Sequence, residues 1–141
     1  MKPIPHVAAS AAVSFAVAAY FRSVPCGICS FVTGVFIDLD HLYDYYREHG
    51  FTLNPMDVYR GCSEMDLTKV FLFFHSYELL AVLWVSIFVF SLSKLWVAGA
   101  IGLTQHMIFD QIFNPINKYG YFLSYRIAKG FDIDKILHRG R

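Results

Sequence analysis

Val70 to Leu92 reads VFLFFHSYELLAVLWVSIFVFSL, and Leu95 to Phe113 follows almost at once with LWVAGAIGLTQHMIFDQIF. These two runs decide the fold. Between Leu79 and Leu92 the only hydroxyl, amide or charged side chains are Ser86 and Ser91. A helix on the outside of a soluble bundle keeps a polar face turned to water, and this stretch has none to offer. Both runs approach the ~20 apolar residues that carry a helix across a bilayer. Two shorter apolar runs precede them, within residues 6–21 and 24–37. They cross by thinning the bilayer or by reaching into protein-covered polar residues at one end. A cleavable signal peptide is the rival reading of the first run, with Lys2 ahead of small apolar residues. His6 belongs with the polar set described below, which favours a retained helix.

Composition agrees. The 141 residues are 56% hydrophobic and only 16% charged, against about 25% in soluble domains. Disorder is excluded by that apolar content, and a net charge of +1 leaves no basic field for a nucleic-acid partner. The sequence predicts one all-α domain over residues 1–141. It is an antiparallel four-helix transmembrane bundle (6–21, 24–37, 70–92, 95–113) with an interfacial helix or lid in 117–141.

Charge placement gives the orientation. Four spans put the N-terminus, residues 38–69 and the tail on one side, with Lys2, Arg47, Arg60, Lys69, Lys118, Arg126, Lys129, Lys135, Arg139 and Arg141. Arg22 and Lys94 alone face the other side. The positive-inside rule then places both termini in the cytoplasm. Arg22–Pro25 and Ser91–Lys94 read as tight turns, and Gly50 closes a helical stretch from Asp38 to Glu48. Asn54-Pro55, Arg60-Gly61 and Asn114-Pro115 read as turns or breaks.

Ionisable residues inside apolar helices are costly and point to function. Here they are His6, Asp38, Asp40, His41, His75, Glu78, His106 and Asp110. In an up-down bundle all of them fall at one end. His106 and Asp110 are i,i+4, while Asp38–His41 and His75–Glu78 are i,i+3, so each pair shares a helical face. Imidazole and carboxylate together suit Zn, Mn or Fe. So many donors exceed the needs of one tetrahedral ion, which suggests two or more ions, or one ion with outer carboxylates. Asp44, one turn beyond Asp40, reads as solvated. Cys26 and Cys29 form a C-x-x-C that suits a redox pair, a thiolate metal site or plain small-residue packing.

The order of these residues resembles the YdjM-like membrane-bound metal-dependent hydrolases, a prokaryotic group similar in turn to zinc-dependent phospholipase C. The matches are His6, Asp38-Leu39-Asp40-His41, His75-Ser76 and His106-Met-Ile-Phe-Asp110, covering the chain up to Asn114-Pro115. Two departures stand out. Ile37 replaces the usual proline before D-x-D-H, and of H-R-G-x-T-H-S only Arg60-Gly61 and His75-Ser76 remain. The resemblance implies a multi-pass protein of the prokaryotic inner membrane holding divalent metal, zinc first among the candidates.

Together these readings predict hydrolysis of a lipid-like phosphoester at the cytoplasmic membrane face. His6, Asp38, Asp40, His41, His75, His106 and Asp110 are the candidate ligands, with Glu78 or Asp40 as general base and Arg60, Lys69 and Lys118 as the phosphate clamp. A non-enzymatic membrane protein that binds metal or moves ions or protons is the alternative.

Overall fold

The computed structural model describes residues 3–64, 67–114 and 116–137, with the side chains of 3, 4, 55 and 62–64 excepted. Lys2, Cys62, Pro115, His138, Arg139 and Arg141 therefore fall wholly or in their side chains outside the described residues. The chain is all-helical: α1 (Pro3–Phe21), α2 (Val24–Phe36), a 3-10 turn (Ile37–Leu39), α3 (Asp40–His49), α4 (Pro55–Glu64), α5 (Tyr77–Val89), α6 (Lys94–Phe113), α7 (Leu123–Ala128) and α8 (Ile133–Ile136). No strand forms among the described residues.

Tight turns pair the long helices. Arg22 takes φ 47° between α1 and α2, and Ser91 takes φ 49° between α5 and α6. Helices α1, α2 and α6 pack on one another, and α5 lies against α6. Small residues make the close approach possible. A Cβ on Gly102 would collide with the Ser30 carbonyl, so α6 passes α2 nearly backbone to backbone.

The polarity of this group is inverted relative to a soluble bundle. Ser10, Ser14, Ser30, Gln105, His106 and Asp110 are buried, whereas Phe15, Ile28, Val85, Phe88, Trp96 and Ile112 are exposed. Among the described residues one continuous helical stretch, Val24–His49, is long and apolar enough to cross a membrane; Pro5–Phe21 and Tyr77–Val89 are shorter apolar helices.

Three boundaries differ from those read in the sequence. The third apolar run becomes helical only at Tyr77, where the Ser76 side chain caps the Leu79 N–H. Residues 70–75 instead find partners elsewhere in the fold. The Val70 N–H donates to Phe131 O, those of Phe71 and Leu72 to the Asp44 carboxylate, and that of Phe74 to Asp40. Arg60-Gly61 is not a turn but part of α4. The tail forms two short helices, because Gly130 and Phe131 both take positive φ (66° and 60°). It folds back as a lid that buries Tyr121, Arg126, Ile133 and Ile136.

Candidate metal centre

His106 and Asp110 project from α6 one turn apart, and both are wholly buried. Asp38 reaches the same spot from the 3-10 turn that joins α2 to α3. His75 comes from the loop ahead of α5 and is also fully buried. Four atoms converge there, all within 4.8 Å of one another. The two Nε2 atoms of His75 and His106 stand 3.1 Å apart. Asp38 Oδ1 lies 3.4 Å from the first and 3.3 Å from the second, and Asp110 Oδ2 lies 3.4 Å from each.

Tautomers sharpen what this means. A carbonyl only accepts, so the 2.8 Å contact of His106 Nδ1 with Gly34 O puts the ring proton on Nδ1. His75 Nδ1 lies 3.0 Å from Asp40, which accepts its proton likewise. In neutral rings both Nε2 lone pairs therefore point at each other and at two carboxylate oxygens. Four acceptors that converge without a donor repel unless a cation stands among them. The spacing suits one: donors ~2.0–2.1 Å from a tetrahedral ion are ~3.3 Å apart. The buried His/Asp cluster can hold a metal ion.

The remaining candidates surround this set. His6 Nε2 is 3.5 Å from Asp110 Oδ1, and His41 Nε2 is 3.7 Å from Asp38 Oδ1. Asp40, His41 and His75 also form a second group of possible donors. Asp40 is occupied by His75 Nδ1 and the Phe74 N–H, the arrangement by which an outer carboxylate orients a ligating imidazole. Glu78 faces away. Its carboxylate accepts from Leu123 N, Ser124 N, Ser124 Oγ and Ser76 Oγ at 2.7–2.9 Å, fastening α7 to the start of α5. Arg60, Lys69 and Lys118 are exposed. Lys118 lies over the Tyr119 ring, and no ion pair joins any of the three to the cluster among the described residues.

Asp44, Arg126, Gln105 and Tyr121 matter here, though the sequence did not mark them as part of the site. Asp44 is completely buried rather than solvated, and it accepts the N–H groups of Phe71 and Leu72. It thereby holds Leu72 at φ 40°, and the Leu72 carbonyl accepts the His75 N–H. A leucine in that region costs about 1–3 kcal/mol, offset here by the hydrogen bonds that present His75. Arg126 is also wholly buried and donates to the His75 carbonyl at 2.9 Å. Burial pushes its guanidinium below the ordinary value, opposed by Asp40, Glu78 and Asp44. Gln105 accepts from Ser10, whose hydroxyl also faces the Gly34 carbonyl. The buried Tyr121 phenol, bonded to Asn114, is raised by burial and by Asp110.

Cys26 and Cys29 lie outside this layer. Their thiols face the Lys94 and Leu95 carbonyls at 3.8 and 3.4 Å, where α2 packs against the start of α6.

No family model, curated protein or solved structure matches the chain.

Proposed function

We propose that this protein is an integral membrane, metal-dependent phosphoester hydrolase acting on a lipid-like substrate at the cytoplasmic face. The observation that carries the reading is the convergence of His75 Nε2, His106 Nε2, Asp38 Oδ1 and Asp110 Oδ2 within 4.8 Å of one another, each imidazole nitrogen 3.1–3.4 Å from the other three atoms. The resemblance to YdjM-like hydrolases supports it. So does the inverted polarity of the helices, which suits four membrane-embedded segments rather than the single long one.

In this reading Asp38, His75, His106 and Asp110 hold the first ion, with zinc the metal best matched to the spacing. His6 beside Asp110, and His41 beside Asp38, are the places for a second. When bound, a divalent ion with one position left open or opened beside these donors would polarise a phosphoryl oxygen and acidify water at neutral pH. Asp40 fixes the His75 ring so that Nε2 faces inward. His41 stands at the one edge where the cluster opens, its side chain 17% exposed beside Asp38 at 31%. Glu78, bound to the lid, serves position rather than proton transfer. Arg60, Lys69 and Lys118 are exposed and pair with no member of the cluster among the described residues, so the reading does not rest on them.

A metal-binding or ion-translocating protein without hydrolytic activity is the second reading. Ser14 and Ser30 favour it, because they continue the buried polar interior outward from the cluster.

The test is metal quantified by mass spectrometry on protein purified in detergent, for wild type, His106→Ala and Asp110→Ala. Bound metal lost in both variants is expected. Wild type that is metal-free and cannot be reloaded overturns the hydrolase and metal-binding readings and leaves ion translocation. Phosphate release from a panel of phospholipids and polyprenyl phosphates then separates the hydrolase from the metal-binding alternative.

A further inference from the structure

Both α2 and α5 pack on α6, and a slot of about 860 Å³ runs along α6 between them. Its walls are Val32, Phe36, Leu83, Trp96 and Leu103, over a floor at Gly99 and Ala100. The one hydroxyl in it, Thr33 Oγ1, is turned to helix carbonyls and donates to Gly99 O at 2.9 Å. The Cys29 thiol likewise faces the Leu95 carbonyl, so apart from the Trp96 indole N–H the slot presents apolar surface to an occupant. Along α6 it extends from Leu95 to Leu103, roughly 12 Å at 1.5 Å per residue.

Its inner end meets the candidate metal centre. Ile37 and Phe74 line the slot and are the chain neighbours of Asp38 and His75. Among the described residues the side chains of His75, Asp110 and His6 are at most 6% exposed, while His41 is 17% and Asp38 31% exposed. Asp38 is thus the most exposed side chain of the donor set, although its Oδ1 is buried, and it adjoins the end of the apolar slot through Ile37.

Resting on the metal-dependent reading above, we propose that the α2/α5/α6 slot is a subsite for one hydrocarbon chain of an anionic phosphoester lipid, whose headgroup sits at the open edge beside Asp38. Charge complementarity fixes the polarity of the occupant. A divalent ion among the donors attracts the anionic head, and the slot beyond it accepts only an apolar chain. A peptide would leave its backbone N–H and C=O groups unsatisfied there. Bulk lipid would lie over every exposed helix face without preference for this one.

The experiment uses the full chain in nanodiscs with a hexadecylphosphonate that carries a photoreactive diazirine in mid-chain. Labelled residues are mapped by mass spectrometry, with bound metal quantified in the same samples. Labels concentrated on Val32, Leu83 and Trp96 are expected. They fall at least fivefold when metal is stripped by a chelator, and again in Val32→Trp and in Leu83→Trp with metal content unchanged. Two variants from facing walls guard against misfolding of either one. Labels spread evenly over Phe15, Phe88 and Ile112 as well, in protein that retains metal, overturn the subsite and leave the metal centre standing. Protein that takes up no metal under any loading condition overturns the underlying reading, and this one with it.

Discussion

Asp40→Asn removes one negative charge and almost no volume, directly behind a ring that faces the proposed ion. In the wild type the carboxylate lies 3.0 Å from His75 Nδ1 and accepts the Phe74 N–H at 3.1 Å. The amide oxygen of asparagine still accepts one of these donors, so the loop keeps a partner. A charge-assisted hydrogen bond becomes a neutral one of roughly half the strength. The imidazole consequently becomes a poorer donor to metal and is held less firmly. Loss of such an outer partner weakens metal binding about 10–100-fold, which is about 1.4–2.8 kcal/mol. The assay is zinc titration of the purified protein against a fluorescent competing chelator at neutral pH. Thermal unfolding of both metal-free proteins serves as a check on the fold. If Asp40→Asn binds zinc within twofold of wild type while His106→Ala does not bind, Asp40 plays no orienting part. If His106→Ala also binds unchanged, the four converging atoms are not the site.

Other expectations follow from the same geometry. Glu78→Gln weakens four hydrogen bonds, three of which fasten α7 to α5, costing about 2 kcal/mol. Hydrogen exchange should rise across residues 121–130 while α1 and α2 stay protected, and unchanged exchange would contradict the fastening role. Gly102→Ala forces α6 away from the Ser30 carbonyl and should cost about 1–3 kcal/mol or more, read as a lowered midpoint in thermal unfolding. Saturating the centre with zinc at a hundred times its dissociation constant should add about 2.7 kcal/mol. A chelator should reverse that gain in wild type and do nothing to Asp110→Ala.

Much of the donor set was legible because helical spacing alone carries it. His106 and Asp110 needed only the i,i+4 rule, and His6, Asp38 and His75 only the assumption of antiparallel helices. What local pattern hid was decided by partners distant in the chain. Glu78 looked like a base in an apolar helix because its donors, Leu123 and Ser124, lie on the lid. Asp44 looked solvated because nothing near it in sequence shows that the N–H groups of Phe71 and Leu72 end there. The letters of residues 70–75 suit a helix, yet Asp40, Asp44 and Phe131 supply hydrogen bonds that compete with the helical ones. Inverted polarity was half legible. The missing polar face of residues 79–92 was plain, whereas Ser10, Ser14, Ser30 and Gln105 declared their inward direction only once the helices were packed.

The lid grips the polypeptide on both sides of His75. Arg126 holds the His75 carbonyl, and Glu78, whose side chain also takes the Ser76 hydroxyl, is held by Leu123 and Ser124. This gives the centre a chronology. Every donor from His6 to Asp110 leaves the ribosome before the segment that steadies one of them. A nascent chain therefore displays its histidines and carboxylates while His75 still hangs on an unsupported loop. The cage reaches its final shape only when the lid folds back, so tight capture of an ion would have to wait for that later-made segment.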